Sequence, residues 1–202
     1  MKKRILTIVL VLLLLLSTLP AMASTSEEEP EFDREKVVPE LINKVNSFIT
    51  ENEYFFEFDD EKKIFSGEFE LEASIETCEA MFYLYDDMLA TTMWLPFEVP
   101  EDRRDDVAIL LTKINSNIYY GFYRLNFETG EVSARSYILI ESVLPGYPEI
   151  DVLLHQPLHY VEDYGDGIHK VAFEGADPHE MYTELIRLLE LDVDEGAEES
   201  DE

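Results

Sequence analysis

VPEDRRDDVAILLTKINSNIYYGFYRLNFETGEVSARSYILI, Val99 to Ile140, contains a helix, a turn and a hairpin in one continuous run. Pro100 suits a first helical position, where its missing N–H costs nothing, and Glu101 and Asp102 set negative charge against the positive end of the helix dipole. Val107, Leu110, Leu111, Ile114 and Ile118 follow the spacing of one buried stripe. Arg103, Arg104, Asp105 and Asp106 fall on the opposite, outward side. Asn115 and Asn117 mark the helix end, because short amides compete for backbone bonds. Two strands come next, Tyr119 to Phe127 and Val132 to Ile140, joined by Glu128-Thr129-Gly130, with Gly130 supplying a positive φ.

The wording and element order of this stretch resemble the YbjN-like family, whose fold is close to that of type III secretion chaperones. The residues that carry the resemblance are Val99-Pro100-Glu101-Asp102-Arg103-Arg104, Ile114-Asn115-Ser116-Asn117, Tyr120-Gly121-Phe122-Tyr123, and Thr129-Gly130-Glu131-Val132 followed by Arg135. It extends across Val37 to about Leu191. The resemblance implies a non-enzymatic α+β module, in many cases dimeric, with a regulatory or partner-binding role.

Upstream of Val99 the period changes from helical to two. Val37, Val38, Leu41, Ile42, Val45, Phe48 and Ile49 predict a helix from about Lys36 to Thr50, with Pro39 tolerated in its first turn. Phe65, Gly67, Phe69 and Leu71 alternate with Ser66, Glu68, Glu70 and Glu72, the pattern of a half-buried strand. Ala80 to Tyr85 and Met88 to Leu95, flanking Asp86-Asp87, are apolar on both faces and read as central strands. Downstream, Leu144 to Pro148 is a loop, and Ile150, Leu153, Leu154, Leu158 and Val161 lie on one helical face that Pro157 should kink or break near His155. Ile168 to Phe173 reads as a short strand. Asp177-Pro178-His179-Glu180 opens a last helix with the stripe Met181, Tyr182, Leu185, Leu188 and Leu189. The expected fold is α+β: an antiparallel sheet of about five strands, with an N-terminal helix, a central helix and C-terminal helices packed on one face.

At the amino end, Met1-Lys2-Lys3-Arg4, the apolar run Ile5 to Leu19 and Ala21-Met22-Ala23 have the three-part layout of a secretory signal peptide with cleavage after Ala23. A run of about fifteen residues rises only about 22 Å as a helix, short of a bilayer core of about 30 Å, so no stable membrane anchor is expected after cleavage. The expected organisation is therefore signal peptide 1–23, acidic disordered linker 24–35, domain 36–191 and acidic disordered tail 192–202. The expected location is periplasmic, extracellular or at the cell surface.

The chain carries 45 acidic and 15 basic residues, a formal charge of −30. Such a surface repels nucleic acid and favours basic protein patches, cationic peptides or divalent cations. The partner expected from it is a protein or peptide with a basic surface, and the family resemblance adds a homodimer. Cys78 is the only cysteine, which excludes an internal disulfide; it reads as a small apolar strand residue.

Candidate chemistry is sparse. His155 and His159 have helical i, i+4 spacing and, with Glu162 or Asp163, could complete a ligand set for a metal-dependent enzyme or cation-binding protein. Gln156 and Pro157 stand where a hydrolytic zinc motif would place its glutamate and an undisturbed turn. Asp163-Tyr164-Gly165-Asp166-Gly167 and Asp192-Val193-Asp194-Glu195-Gly196 bring carboxylates near glycine without EF-hand spacing. There is no nucleophile elbow and no phosphate-cradling loop. The reading is therefore non-catalytic, with no catalytic, cofactor or metal residue assigned. The aromatics of Tyr54-Phe55-Phe56 and Tyr119-Tyr120-Gly121-Phe122-Tyr123 read mostly as core, with any exposed on the outer sheet face marking a contact surface.

Overall fold

The computed structural model describes residues 32–71 and 75–198, with side chains to residue 190. The signal peptide and residues 24–31 of the expected linker lie outside the described residues. The chain divides into two units at Glu31/Phe32, and every described residue belongs to the second.

Helix α1 spans Arg34–Glu51. It starts two residues earlier than the apolar spacing predicts because Asp33 caps it, its carboxylate accepting from Glu35 N–H at 3.1 Å. The linker therefore gives way to ordered structure before residue 35. Val37, Leu41, Val45, Phe48 and Ile49 are the buried face of α1. Next come four strands: β1 (Phe56–Asp59), β2 (Ile64–Glu70), β3 (Thr77–Leu84) and β4 (Met88–Glu98). A 3-10 turn at Glu101–Arg103 leads into α2, Arg104–Asn115, and then β5 (Phe122–Leu125) and β6 (Glu131–Leu139) form the hairpin. Helix α3 (Tyr147–His169), a π-helical turn at Lys170–Glu174 and α4 (Pro178–Glu198) complete the chain.

The fold is α+β, with six strands in the order β1-β2-β3-β4-β6-β5, every neighbouring pair antiparallel. The sixth strand is β1, whose four residues begin at Phe56, the last of the Tyr54-Phe55-Phe56 cluster. On β4 the register jumps from Trp94 opposite Ser133 to Glu98 opposite Glu131. Four residues are thus matched against two, a bulge that accommodates Pro96 in a central strand, where a regular ladder would need its missing N–H.

One face of the sheet forms the core. Phe65, Cys78, Ala80, Phe82, Leu84, Leu89, Met93, Val132 and Ala134 pack there with the buried stripes of the helices. Cross-strand partners such as Phe65 opposite Phe82 and Met93 opposite Ala134 share that face.

Four expectations need correction. Arg103 and Arg104 do not simply face out. The Arg103 guanidinium donates to the carbonyls of Val171 (3.0 and 2.8 Å) and Ala176 (3.3 Å). Arg104 donates to those of Val99 (3.1 Å), Phe127 (2.7 Å) and Glu128 (3.2 Å). The second concerns α3, which runs unbroken through Pro157. The bond that Pro157 denies to the Leu153 carbonyl is replaced by the buried Ser136 hydroxyl, donating at 2.8 Å from β6. Third, Ile168 to Phe173 is not a strand but the end of α3 and the π-helical turn; a short apolar run does not distinguish the two by periodicity. Fourth, the backbone of α4 continues to Glu198, through most of the stretch expected to be a disordered tail, since no proline interrupts it.

The candidate partner-binding surface

His155 and His159 both lie on α3, ring centres 6.4 Å apart, but each is engaged locally. The two nitrogens of His155 meet the Tyr54 hydroxyl at 3.0 Å and the Asp151 carbonyl at 3.0 Å, while His159 pairs with Glu162 at 3.1 Å. Burial, with the nearby Asp151 carboxylate, raises the Tyr54 phenol. Among the described residues, no group of three or more His, Cys, Asp or Glu side chains is arranged to hold a metal ion. Neither acidic glycine-containing segment is a loop: Asp163 to Gly167 lies within α3, where Ile75 packs against Gly165 and Leu185 against Gly167, and residues 192–196 lie within the backbone of α4. Cys78 is buried in β3, and burial pushes its thiol up to about 12, the opposite of an activated nucleophile.

The aromatic clusters divide between core and surface. Tyr123 is buried and donates to the Tyr160 carbonyl, with its phenol raised well above the ordinary range by burial. Tyr54 and Phe56 pack against the core, but Phe55, Tyr119 and Tyr120 are exposed, Tyr119 almost wholly at 95%.

A surface of a different kind emerges from the residues that alternate with the core. Opposite partners give one row of Ile64, Tyr83, Ala90 and Tyr137, and a second of Ser66, Met81, Thr92, Arg135 and Phe122. A third row runs Glu68, Glu79, Trp94, Ser133 and Arg124, and beyond it Glu98 faces Glu131. None of the large apolar residues among these joins the helix-packed core. Tyr83 and Tyr85 stack with ring planes 5° apart at 6.5 Å. The Arg135 guanidinium lies 5.8 Å from the centre of the Tyr83 ring, and Phe122 meets Tyr137 edge-on at 6.4 Å. Tyr137 is 49% and Leu139 61% exposed.

Polarity is graded along this face. Tyr85, Met88 and Leu139 lie toward one end. Toward the other, Glu68 stands directly opposite Glu79 and Glu98 directly opposite Glu131. Like charges so placed repel across a sheet, and none of these four carboxylates forms an ion pair among the described residues. Between the two ends, beside the β4 bulge, a shallow depression of about 640 Å³ is lined by Glu79, Met81, Tyr83, Trp94, Pro96, Glu98 and Glu131. The sequence signal for this surface was the run of large residues at alternate positions of β3 and β4, which by itself is equally the mark of a strand buried on both faces.

No protein-family model matches the chain, and no curated protein matches it by sequence. Among solved structures it is similar to that of YbjN from E. coli, a protein described as a candidate transcription regulator, with a TM-score of 0.47 and 13% identity over 62% of this chain and 88% of that one.

Proposed function

We propose that this chain is a non-catalytic, exported module that binds another protein or peptide through the face of its sheet that no described helix covers. The observation that carries the reading is the composition of that face: aromatic and aliphatic side chains at one end, glutamates without ion-pair partners at the other, on a molecule of formal charge −30. Tyrosine and tryptophan anchor interfaces, because large rings bury much area at little entropic cost. Opposed carboxylates that repel one another in the free chain gain from a cation placed between them, so the partner presents lysine or arginine.

The test is a cross-linked pull-down from native cell-envelope extract, washed at low and at moderate salt. The bait is the intact chain, beside a variant carrying Tyr83→Ser and Tyr85→Ser, two stacked positions of that face outside the core. The expected result is one protein that survives the moderate-salt wash on the wild-type chain and drops at least about tenfold on the variant. Equal retention on both baits would refute the assignment of the face. Light scattering on the purified chain separates binding to a second copy from binding to another protein, and the amino-terminal residue of chain recovered outside the cytoplasm, expected to be Ser24, tests the export step.

A further inference from the structure

Beyond Arg135, β6 runs on without its neighbour. β5 pairs only with Val132 to Arg135, and Gly121, at φ 98, turns the chain away where any Cβ would collide with the Arg135 carbonyl. Alternate strand residues direct their main-chain groups to opposite neighbours. Ile140 N–H donates to Asp87, on the β4 side, at 2.7 Å, whereas the Glu131 carbonyl accepts from Asn126, on the β5 side, at 2.9 Å. Tyr137 and Leu139 share the parity of Glu131, so their N–H and C=O groups face a side where, among the described residues, no strand lies. Two other edges of the sheet are managed. The outer edge of β5 is closed by Asn115, whose side-chain amide accepts from Tyr123 N–H at 2.7 Å and donates to its carbonyl at 3.1 Å. β1 is four residues long and carries Glu57 and Asp59.

The open length of β6 borders a cleft of about 370 Å³ whose walls include Tyr120, Pro148, Val152 and Leu153. We propose that this cleft accepts an extended segment of a partner protein as a short strand added to β6 at Tyr137 and Leu139, with apolar side chains at alternate positions and lysine or arginine at its flanks. The unpaired main-chain groups select a strand, and the apolar wall selects every second side chain. Glu149 in the cleft wall and Glu141 just past the open edge select the cationic flanks. The proposal rests on the partner-binding reading but uses main-chain groups and a wall on the helical side of the sheet, so the two are separable.

The probe is the synthetic peptide Lys-Val-Thr-Val-Thr-Val-Lys, beside the same peptide N-methylated at alternate residues, each added to the intact chain while amide hydrogen exchange is followed residue by residue. In the free chain, the Tyr137 and Leu139 amides should exchange at least about tenfold faster than those of Ser136 and Ile138. The unmethylated peptide should slow both by about tenfold and the methylated one should not, and Leu139→Pro should abolish the protection at Tyr137. Tyr137 and Leu139 amides already slow in the free chain, or unchanged by the peptide, would overturn the proposal. Trp94→Ala, on the sheet face away from this edge, should leave the protection intact; if it does while the pull-down shows no dependence on the face, the edge stands and the face reading falls.

Discussion

Ser136 and Pro157 act as one unit although they belong to different elements. Pro157 leaves the Leu153 carbonyl without its helical donor, and the Ser136 hydroxyl supplies one from a buried position. Ser136→Ala should therefore cost about 1–3 kcal/mol in urea denaturation, the penalty of an orphaned buried acceptor. In a Pro157→Ala background, where an amide returns to position 157, the same substitution should cost less than half as much; full additivity would refute the pairing. Cys78 and Tyr123 make a second residue-scale prediction. Both are held neutral by burial, the thiol moved from 9.0 to about 12. Above pH 9 the unfolded chain loses the thiol proton while the folded chain keeps it, so stability is fully present below pH 9 and declines as pH rises toward 12. Urea midpoints at about pH 8 and about pH 10 should differ for the wild type and differ less for Cys78→Ala.

Among the elements, the interlock of α2 with the β5–β6 hairpin loop accounts for the residues by which the chain is legible. Val99 N–H donates to the Gly130 carbonyl at 2.8 Å, Arg104 clasps Val99, Phe127 and Glu128, and Gly130, at φ 87, brings its backbone so close to the Val99 carbonyl that a Cβ would collide with it. Arg104→Ala should lower stability by about 1–2 kcal/mol, and Arg104→Lys should recover less than half, since a lysine has no planar fork for several carbonyls; full recovery by lysine, read in the denaturation midpoint, would show that charge alone matters. The helices of this region are readable from apolar spacing because a stripe is a local pattern. Arginine contacts are so only in part: Arg103 pairs with Asp106 three residues on at 2.7 Å, but the carbonyls it also holds lie 68 and 73 residues away. Asn115 shows the boundary between the two. Its amide does compete for backbone groups, as its position at a helix end implies, but those it takes belong to Tyr123 on an edge strand.

For the molecule as a whole, charge is the dominant variable. With 45 acidic residues against 15 basic ones, self-repulsion weakens the compact state, and screening relieves it. Raising sodium chloride from about 10 mM to about 0.5 M, which shortens the Debye length from about 30 Å to under about 5 Å, should raise the thermal midpoint; a fall would mean that attractive ion pairs outweigh repulsion. The uncovered sheet face escaped the sequence for a reason at this same scale. Alternation tells which residues share a face, yet whether a helix covers that face is decided by packing far along the chain. The candidate metal site was readable as spacing, but Tyr54, 101 residues from His155, took the nitrogen a metal would need.

Arg34, the first residue of α1, donates to the carbonyls of Asp86 at 3.0 Å and Ile140 at 2.8 Å. The second of these contacts spans 106 residues. A chain growing from its amino end can rest Phe48 of α1 against Phe82 of β3 early, ring centres 6.5 Å apart, but it cannot close the Arg34 clasp until residue 140 of 202, about seven tenths of its length, has emerged. Of these two bonds, the one that ties the first helix to the end of the last strand is thus the later that synthesis can supply.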